Sequence, residues 1–151
     1  MINTRLRCGI VLRAGEDTCQ VLLAGDQVVS VRYASQFPAP RRERVSPGHL
    51  VAIAEVPGRS DAVVWRWYDA VVVGDEAGSV RLWEPAHGEV LARPRRPEQR
   101  YRPGTRAYLS AGLPGAEWWV VSRAVDQAED AEVELDEVQR LYTEQNMWDS
   151  V

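Results

Sequence analysis

Arg44-Val45-Ser46-Pro47-Gly48, followed by the apolar run Leu50 to Val56, returns further on as Arg100-Tyr101-Arg102-Pro103-Gly104, followed by Thr105 to Ser110. The two phrases stand 56 residues apart. That is about the length of one small β-barrel, so the chain is expected to hold two related barrel-sized units. Each phrase closes a cluster of arginines that ends in a Pro-Gly turn. The first cluster is Arg41, Arg42 and Arg44; the second is Arg93, Arg95, Arg96, Arg100, Arg102 and Arg106, opposed only by Glu98.

Working outward, short Val-rich runs alternate with turn residues. Gly9 to Arg13, Gln20 to Ala24 and Val28 to Tyr33 are separated by Gly15-Glu16-Asp17 and Gly25-Asp26, a β-meander. Gln36 to Pro40 reads as an irregular crossing, because proline cannot donate to a central ladder. Leu50 to Val56, Ala62 to Val73, Ser79 to Trp83, Glu89 to Arg93, Thr105 to Ser110 and Glu117 to Ser122 follow, the last two joined by a Leu113-Pro114-Gly115 turn. About ten strands in so short a body leave no room for crossover helices, so an antiparallel arrangement is expected. Unpaired edge strands would then be open to pairing with a second copy. The expected fold class is mainly β: two small antiparallel β-barrels, SH3-like or OB-like, packed in tandem with a C-terminal amphipathic α-helix. The expected divisions are a first unit over 1–66, a second over 67–123, and an acidic helix and tail over 124–151.

The 151 residues are 45% hydrophobic, enough for one ordinary core or two small ones and too much for a wholly disordered chain. No apolar run approaches the length of a membrane helix, and the chain reads as cytoplasmic. Its two cysteines, Cys8 and Cys19, are expected to be reduced thiols. Every one of the 18 basic residues is arginine. Charge is uneven: residues 1–123 hold 17 arginines against 13 acids, and residues 124–151 hold one against nine. A net charge of −4 thus hides a basic body and an acidic tail.

In the tail, Ala131, Leu135, Val138 and Tyr142 repeat at intervals of four, three and four, with Leu141 beside them. That spacing predicts an amphipathic helix from about Gln127 to about Gln145, with Asp126 as its cap. Its stripe Leu135, Val138, Leu141 and Tyr142 either packs on the protein's own strands or docks on a partner.

From Pro47 to Arg96 the order Pro-Gly, strand, turn, Arg66-Trp67-Tyr68-Asp69-Ala70-Val71-Val72, glycine turn, Ser79-Val80-Arg81-Leu82-Trp83 and a last strand resembles Tudor and other SH3-like barrels. The resemblance implies that Tyr68 and Trp83 occupy two positions of an aromatic cage for methylated lysine or arginine. Where the family carries a further aromatic this chain has Pro85 and Ala86, and the loop at Ser60 and Asp61 has none. A second frame starts each unit at its hairpins, as in OB-type barrels, setting Gly9 to Val64 against Ala70 to Val120. Both frames remain open from sequence.

Catalytic and metal signatures are missing. His49 and His87 are the only histidines and have no spaced ligand partners, no serine stands in a nucleophile elbow, and no phosphate loop is present. No enzyme activity, metal or cofactor is expected. Of the tryptophans, Trp65 and Trp67 share one side of their strand, leaving Arg66 and Tyr68 as candidates for an exposed face. The expected function is that of a non-enzymatic adaptor binding a protein partner. The alternative is nucleic-acid binding, with Arg93 to Arg106, helped by Arg41 and Arg42, as a phosphate track, Tyr68, Trp83 or Tyr101 as stacking rings, and the acidic tail as internal competitor.

Overall fold

The computed structural model describes residues 4–35, 45–111, 119–123 and 128–151. Through them run β1 (Arg5–Ala14), β2 (Thr18–Leu23), β3 (Val28–Tyr33), β4 (Leu50–Glu55), β5 (Ala62–Glu76), β6 (Ser79–Glu84), β7 (Gly88–Pro94), β8 (Arg106–Ala111) and β9 (Trp119–Arg123), followed by one helix, α1 (Ala128–Glu144). The protein is mainly β with a C-terminal helix. Its strands form one hydrogen-bonded sheet of order β3-β2-β1-β4-β5-β6-β7-β9-β8, with β3–β5 and β5–β8 also paired. Nine strands are described, each close to one of the nine runs named from sequence. The Gln36 to Pro40 crossing and the Leu113-Pro114-Gly115 turn lie outside the described residues.

Two compact units emerge, one gathering Met1–Arg66 with Asp126–Val151, the other Trp67–Val125. In the first, β1 pairs antiparallel with β2 and with β4, β2 with β3, and β3 runs parallel to the start of β5. Because β4 neighbours β5, the pairings return to their starting strand. In the second unit β5 pairs with β6 and β8, β6 with β7, β9 with β8, and β7 runs parallel to β9. That circuit closes too. The expectation of a purely antiparallel body is therefore corrected at two short places. A parallel pairing between the third and fifth strand is what closes each circuit, and it gives every described strand two neighbours. The open edges expected from sequence are thereby shortened, the parallel contacts covering the ends of β3 and β7.

The two circuits match residue for residue. Ile10 pairs with Leu22 and Leu50 as Val71 pairs with Trp83 and Arg106. Arg32 and Tyr33 run beside Ala62 and Val63 as Arg93 and Pro94 run beside Val120 and Val121. The offset is 61 along the first three strands, 56 at the Pro-Gly turn and along the fourth, and 58 along the fifth; it drops from 61 to 56 because the second unit reaches that turn by a shorter connection. Each first strand carries a bulge at the same point, between Val11 and Arg13 and between Val72 and Gly74. A bulge adds twist and bends the strand. Here it lies just past the last residue paired with the fourth strand, while pairing with the second strand continues across it.

The repeated sequence phrase sits at that point. Val11 donates its N–H to the His49 carbonyl (3.0 Å) and accepts from Gly48 N–H (2.8 Å); Val72 donates to Thr105 (2.9 Å) and accepts from Gly104 (2.8 Å). Gly48 and Gly104 have φ of 91° and 86°, a conformation in which a Cβ is strained, so glycine is required at both turns. Cores correspond as well. Val11, Cys19, Val21, Val31, Val45, Val51, Ile53 and Val63 fill the first unit where Val72, Val80, Leu82, Ala92, Tyr101, Ala107, Leu109 and Val121 fill the second.

Helix α1 belongs to the first unit. Val138 and Tyr142, one turn apart on one face, are buried, while Asp136, Arg140, Thr143 and Glu144 are exposed and Leu135 and Leu141 half-buried. Tyr142 Oη donates to the Val64 carbonyl on β5 (2.7 Å), and Trp148 stacks on the Tyr142 ring at 4.8 Å. The chain beyond the helix is tied down in turn: Arg59 Nη1 donates to the carbonyls of Asp149 (2.8 Å) and Val151 (2.7 Å), and Ser35 Oγ to that of Ser150. Of the stripe, Val138 and Tyr142 are thus buried in the first unit, and Leu135 and Leu141 partly so. Asp126 and the Ala131 side chain lie outside what is described. Cys8 and Cys19 are not bonded to each other.

Introducing a charge at the centre of this contact has a predictable cost. Val138→Asp should destabilise the protein by several kcal/mol, because an unpaired carboxylate would be buried, whereas the exposed Glu144→Ala should change stability by less than about 0.5 kcal/mol; thermal unfolding of both variants tests this. Burial also pushes the Tyr142 phenol far above its ordinary value. The sign follows: below pH about 10 both folded and unfolded states keep the proton and the contact contributes in full, and above it the unfolded state ionises first. Stability should fall as pH rises past that point. Tyr142→Phe should cost about 1–2 kcal/mol at neutral pH and flatten the alkaline loss, as measured by denaturant unfolding against pH.

Candidate functional site: an exposed apolar face flanked by arginines

From Tyr68 onward β5 alternates cleanly, with Tyr68, Ala70 and Val72 buried and Asp69, Val71 and Val73 pointing out. Pairing carries the outward side across the sheet of the second unit. Arg106, Val71, Trp83 and Glu89 form one cross-strand row, and Gly74, Arg81 and Leu91 the next. Neighbours in such a row lie about 5 Å apart at Cβ, so these side chains share one surface. Trp83 is 49% exposed and Leu91 57%, with Val71 and Val73 exposed as well. Four large apolar side chains on one face are what a docking surface presents.

The charges around them are largely satisfied within the face. Arg81 reaches Glu76 at 3.1 Å and Glu89 at 3.2 Å, and Arg106 clasps Asp69 through two bonds of 2.7 and 3.1 Å. Arg106 also lies 5.7 Å from the Tyr108 ring centre. An apolar centre bordered by ion pairs has the anatomy of a protein interface. In the first unit the corresponding row is Leu50, Ile10, Leu22 and Val28, apolar throughout. The exposed large hydrophobic residues among those described are Ile10, Leu12 and Val28 in the first unit and Val71, Val73, Trp83 and Leu91 in the second, all on the first three strands of their circuits.

The sequence-derived candidates separate. Trp83 is on the surface, but Tyr68 (1% exposed) and Tyr101 (7%) are in the core, so Tyr68 and Trp83 do not line one cage. Arg66, expected to be exposed beside Tyr68, is buried, as are Trp65 and Trp67; every residue from Ala62 to Tyr68 is buried. In the first unit the reason is that α1 covers the side of β5 that a solvent-facing strand would leave open, as the Tyr142–Val64 bond records. Arg93, Arg96, Arg100, Arg102 and Arg106 are exposed and Arg95 half-buried. Arg41 and Arg42 lie outside the described residues. Of the helix candidates, Val138 and Tyr142 are buried and Leu135 and Leu141 half-buried on the first unit.

One group was missed in sequence. Glu84, 4% exposed, occupies the place that core Leu23 holds in the first unit. Its Oε2 accepts from the backbone N–H of Ala86 (3.0 Å) and His87 (2.9 Å) and lies 2.7 Å from His87 Nδ1. His87 in turn meets Tyr68 and Trp119 edge-on, at 5.1 and 4.9 Å. The carboxylate is satisfied by the turn it caps. A charged residue closing a strand just before Pro85-Ala86-His87-Gly88 was the signal available. No group of three or more metal-ligating side chains occurs among the described residues, and no described helix is long and apolar enough to cross a membrane.

Comparison with models of known protein families gives no match, and a search of curated proteins gives none either.

Trp83→Ala should leave stability within about 1 kcal/mol of the parent, since half of the ring is already in water. Glu84→Ala should cost about 1–3 kcal/mol, because it removes the carboxylate that accepts from Ala86 N–H and lies against His87 Nδ1, while His87 N–H keeps its bond to the residue 84 carbonyl. Denaturant unfolding of the two variants distinguishes a surface residue from a structural one.

Proposed function

We infer that each closed circuit of strands is a small β-barrel of the OB type, and that the protein is a non-enzymatic adaptor which binds a protein partner through the outward face of β5, β6 and β7. The barrel reading is supported by the circuit order, in which the first strand pairs with the second and fourth and the third runs parallel to the fifth. It favours the hairpin frame, with Gly9 to Val64 answering Ala70 to Val120. One observation carries the functional reading: the exposed large apolar side chains gather at equivalent places in both units, around Ile10 and around Trp83, while the equivalent interiors are filled. Since no described strand offers a long free edge, binding runs through side chains and not through strand addition.

Nucleic-acid binding is the second reading, and the exposed arginines between β7 and β8 support it. The Trp83 face itself supports it less, because its cations are held by Glu76, Glu89 and Asp69, and those carboxylates would meet a phosphate backbone.

A photo-crosslinking residue placed at Trp83 or Leu91 in the cells that make the protein tests the reading. Discrete protein adducts, absent when the residue stands at exposed Gln20, are expected; adducts sensitive to nuclease in place of protein adducts would overturn it.

A further inference from the structure

We propose that the partner seated on the Trp83 face is an acidic protein segment carrying apolar side chains, with its carboxylates held by Arg96, Arg100 and Arg102. This rests on the docking reading above and adds the chemistry of the ligand. The three arginines are exposed and make no ion pair with any described residue, in contrast to Arg81 and Arg106. They stand in the connection between β7 and β8, which the backbone fixes at several points. Arg95 N–H donates to the Val121 carbonyl (3.0 Å) and Gln99 N–H to that of Arg96 (3.0 Å). Tyr101 is buried between Arg100 and Arg102, its hydroxyl 3.3 Å from the Val121 carbonyl. Thr105 closes the turn onto the Arg102 carbonyl through its N–H (3.2 Å) and its hydroxyl (2.6 Å).

The guanidinium groups are therefore displayed from an ordered backbone, which lowers the entropy lost on binding. The register places the end of their connection. Gly104 and Thr105 bond to Val72, next to exposed Val71 and Val73, and the connection runs directly into Arg106, the first residue of the Trp83 row. The connection that carries these arginines thus ends at the apolar face. A ligand matching both offers aliphatic or aromatic side chains to Trp83, Val71 and Leu91, and carboxylates to the arginines, whose planar forks take them bidentately. A nucleic acid matches only the charge: the groups nearest Trp83 along its row are Val71 and Glu89.

The full chain, immobilised, is panned against a displayed library of random dodecapeptides, with counter-selection on Trp83→Ala. Recovered peptides are measured by fluorescence anisotropy against the parent and against the triple variant Arg96→Glu, Arg100→Glu, Arg102→Glu, with a single-stranded oligothymidine as competitor probe. Circular dichroism checks that both variants fold. The expected result is peptides enriched in Asp and Glu beside apolar residues, binding about tenfold or more weakly to the triple variant and more weakly as salt rises. Peptides without acidic enrichment, or with unchanged affinity for the triple variant, would overturn this inference and leave the docking reading standing. Failure to recover any peptide that depends on Trp83 would overturn both. Oligothymidine binding more tightly than the best peptide, through the same arginines, would overturn the inference in favour of nucleic acid.

Discussion

The hydrogen bonds that tie Val11 to Gly48 and His49, and Val72 to Gly104 and Thr105, hold the rest of the molecule in place. Each joins the start of a fourth strand to the bulge of a first strand, where pairing between the two ends. A bulge bends and twists its strand, and that bend favours closing the circuit. Without the glycine, the turn could not present its N–H there. Closure then dictates which side of every strand is interior. The two apolar cores fill matching positions because they answer the same closure problem.

Much of this was legible in the residues. The repeated Pro-Gly phrase located the two closing turns, and the Val-rich runs gave the strands to within a few residues. What period-two reasoning could not see was that Ala62 to Tyr68 is covered on both sides. Alternation was applied to Trp65, Arg66, Trp67 and Tyr68 as if one side faced water, yet a helix distant in sequence covers part of that strand. Parallel pairing was equally hidden, since it is fixed by closure and leaves no local mark. The surface separated on similar grounds: Trp83 and the arginines of the β7–β8 connection were picked out by residue type, but only the register brings Val71, Trp83 and Leu91 onto one face, and only pairing geometry distinguishes the compensated Arg81 and Arg106 from Arg96, Arg100 and Arg102.

Comparison of the two units shows where the constraint ends and specialisation begins. Most interior positions exchange one apolar side chain for another, and Val45 becomes Tyr101, whose hydroxyl reaches the Val121 carbonyl. Outside, Leu22 becomes Trp83, Val28 becomes Glu89 and Leu50 becomes Arg106 at the same register. The row that is uniformly apolar in one unit is amphipathic in the other. Glu84 is the one exception in the interior set, replacing a core leucine with a carboxylate that the following turn satisfies.

The division of the chain has a consequence for how the protein is made. The first unit is written in two instalments, with the whole second unit between them. During synthesis the strands of the first unit leave the ribosome early, but the helix bonded to Val64 leaves only after the second unit. The nascent first unit therefore waits, with one side of β5 uncovered, while the second unit, continuous in sequence, emerges and can close. Long-range contacts of this kind are slow to form and leave apolar surface open meanwhile. The acidic character of the late segment, nine acids against one arginine, favours its remaining in water until it docks.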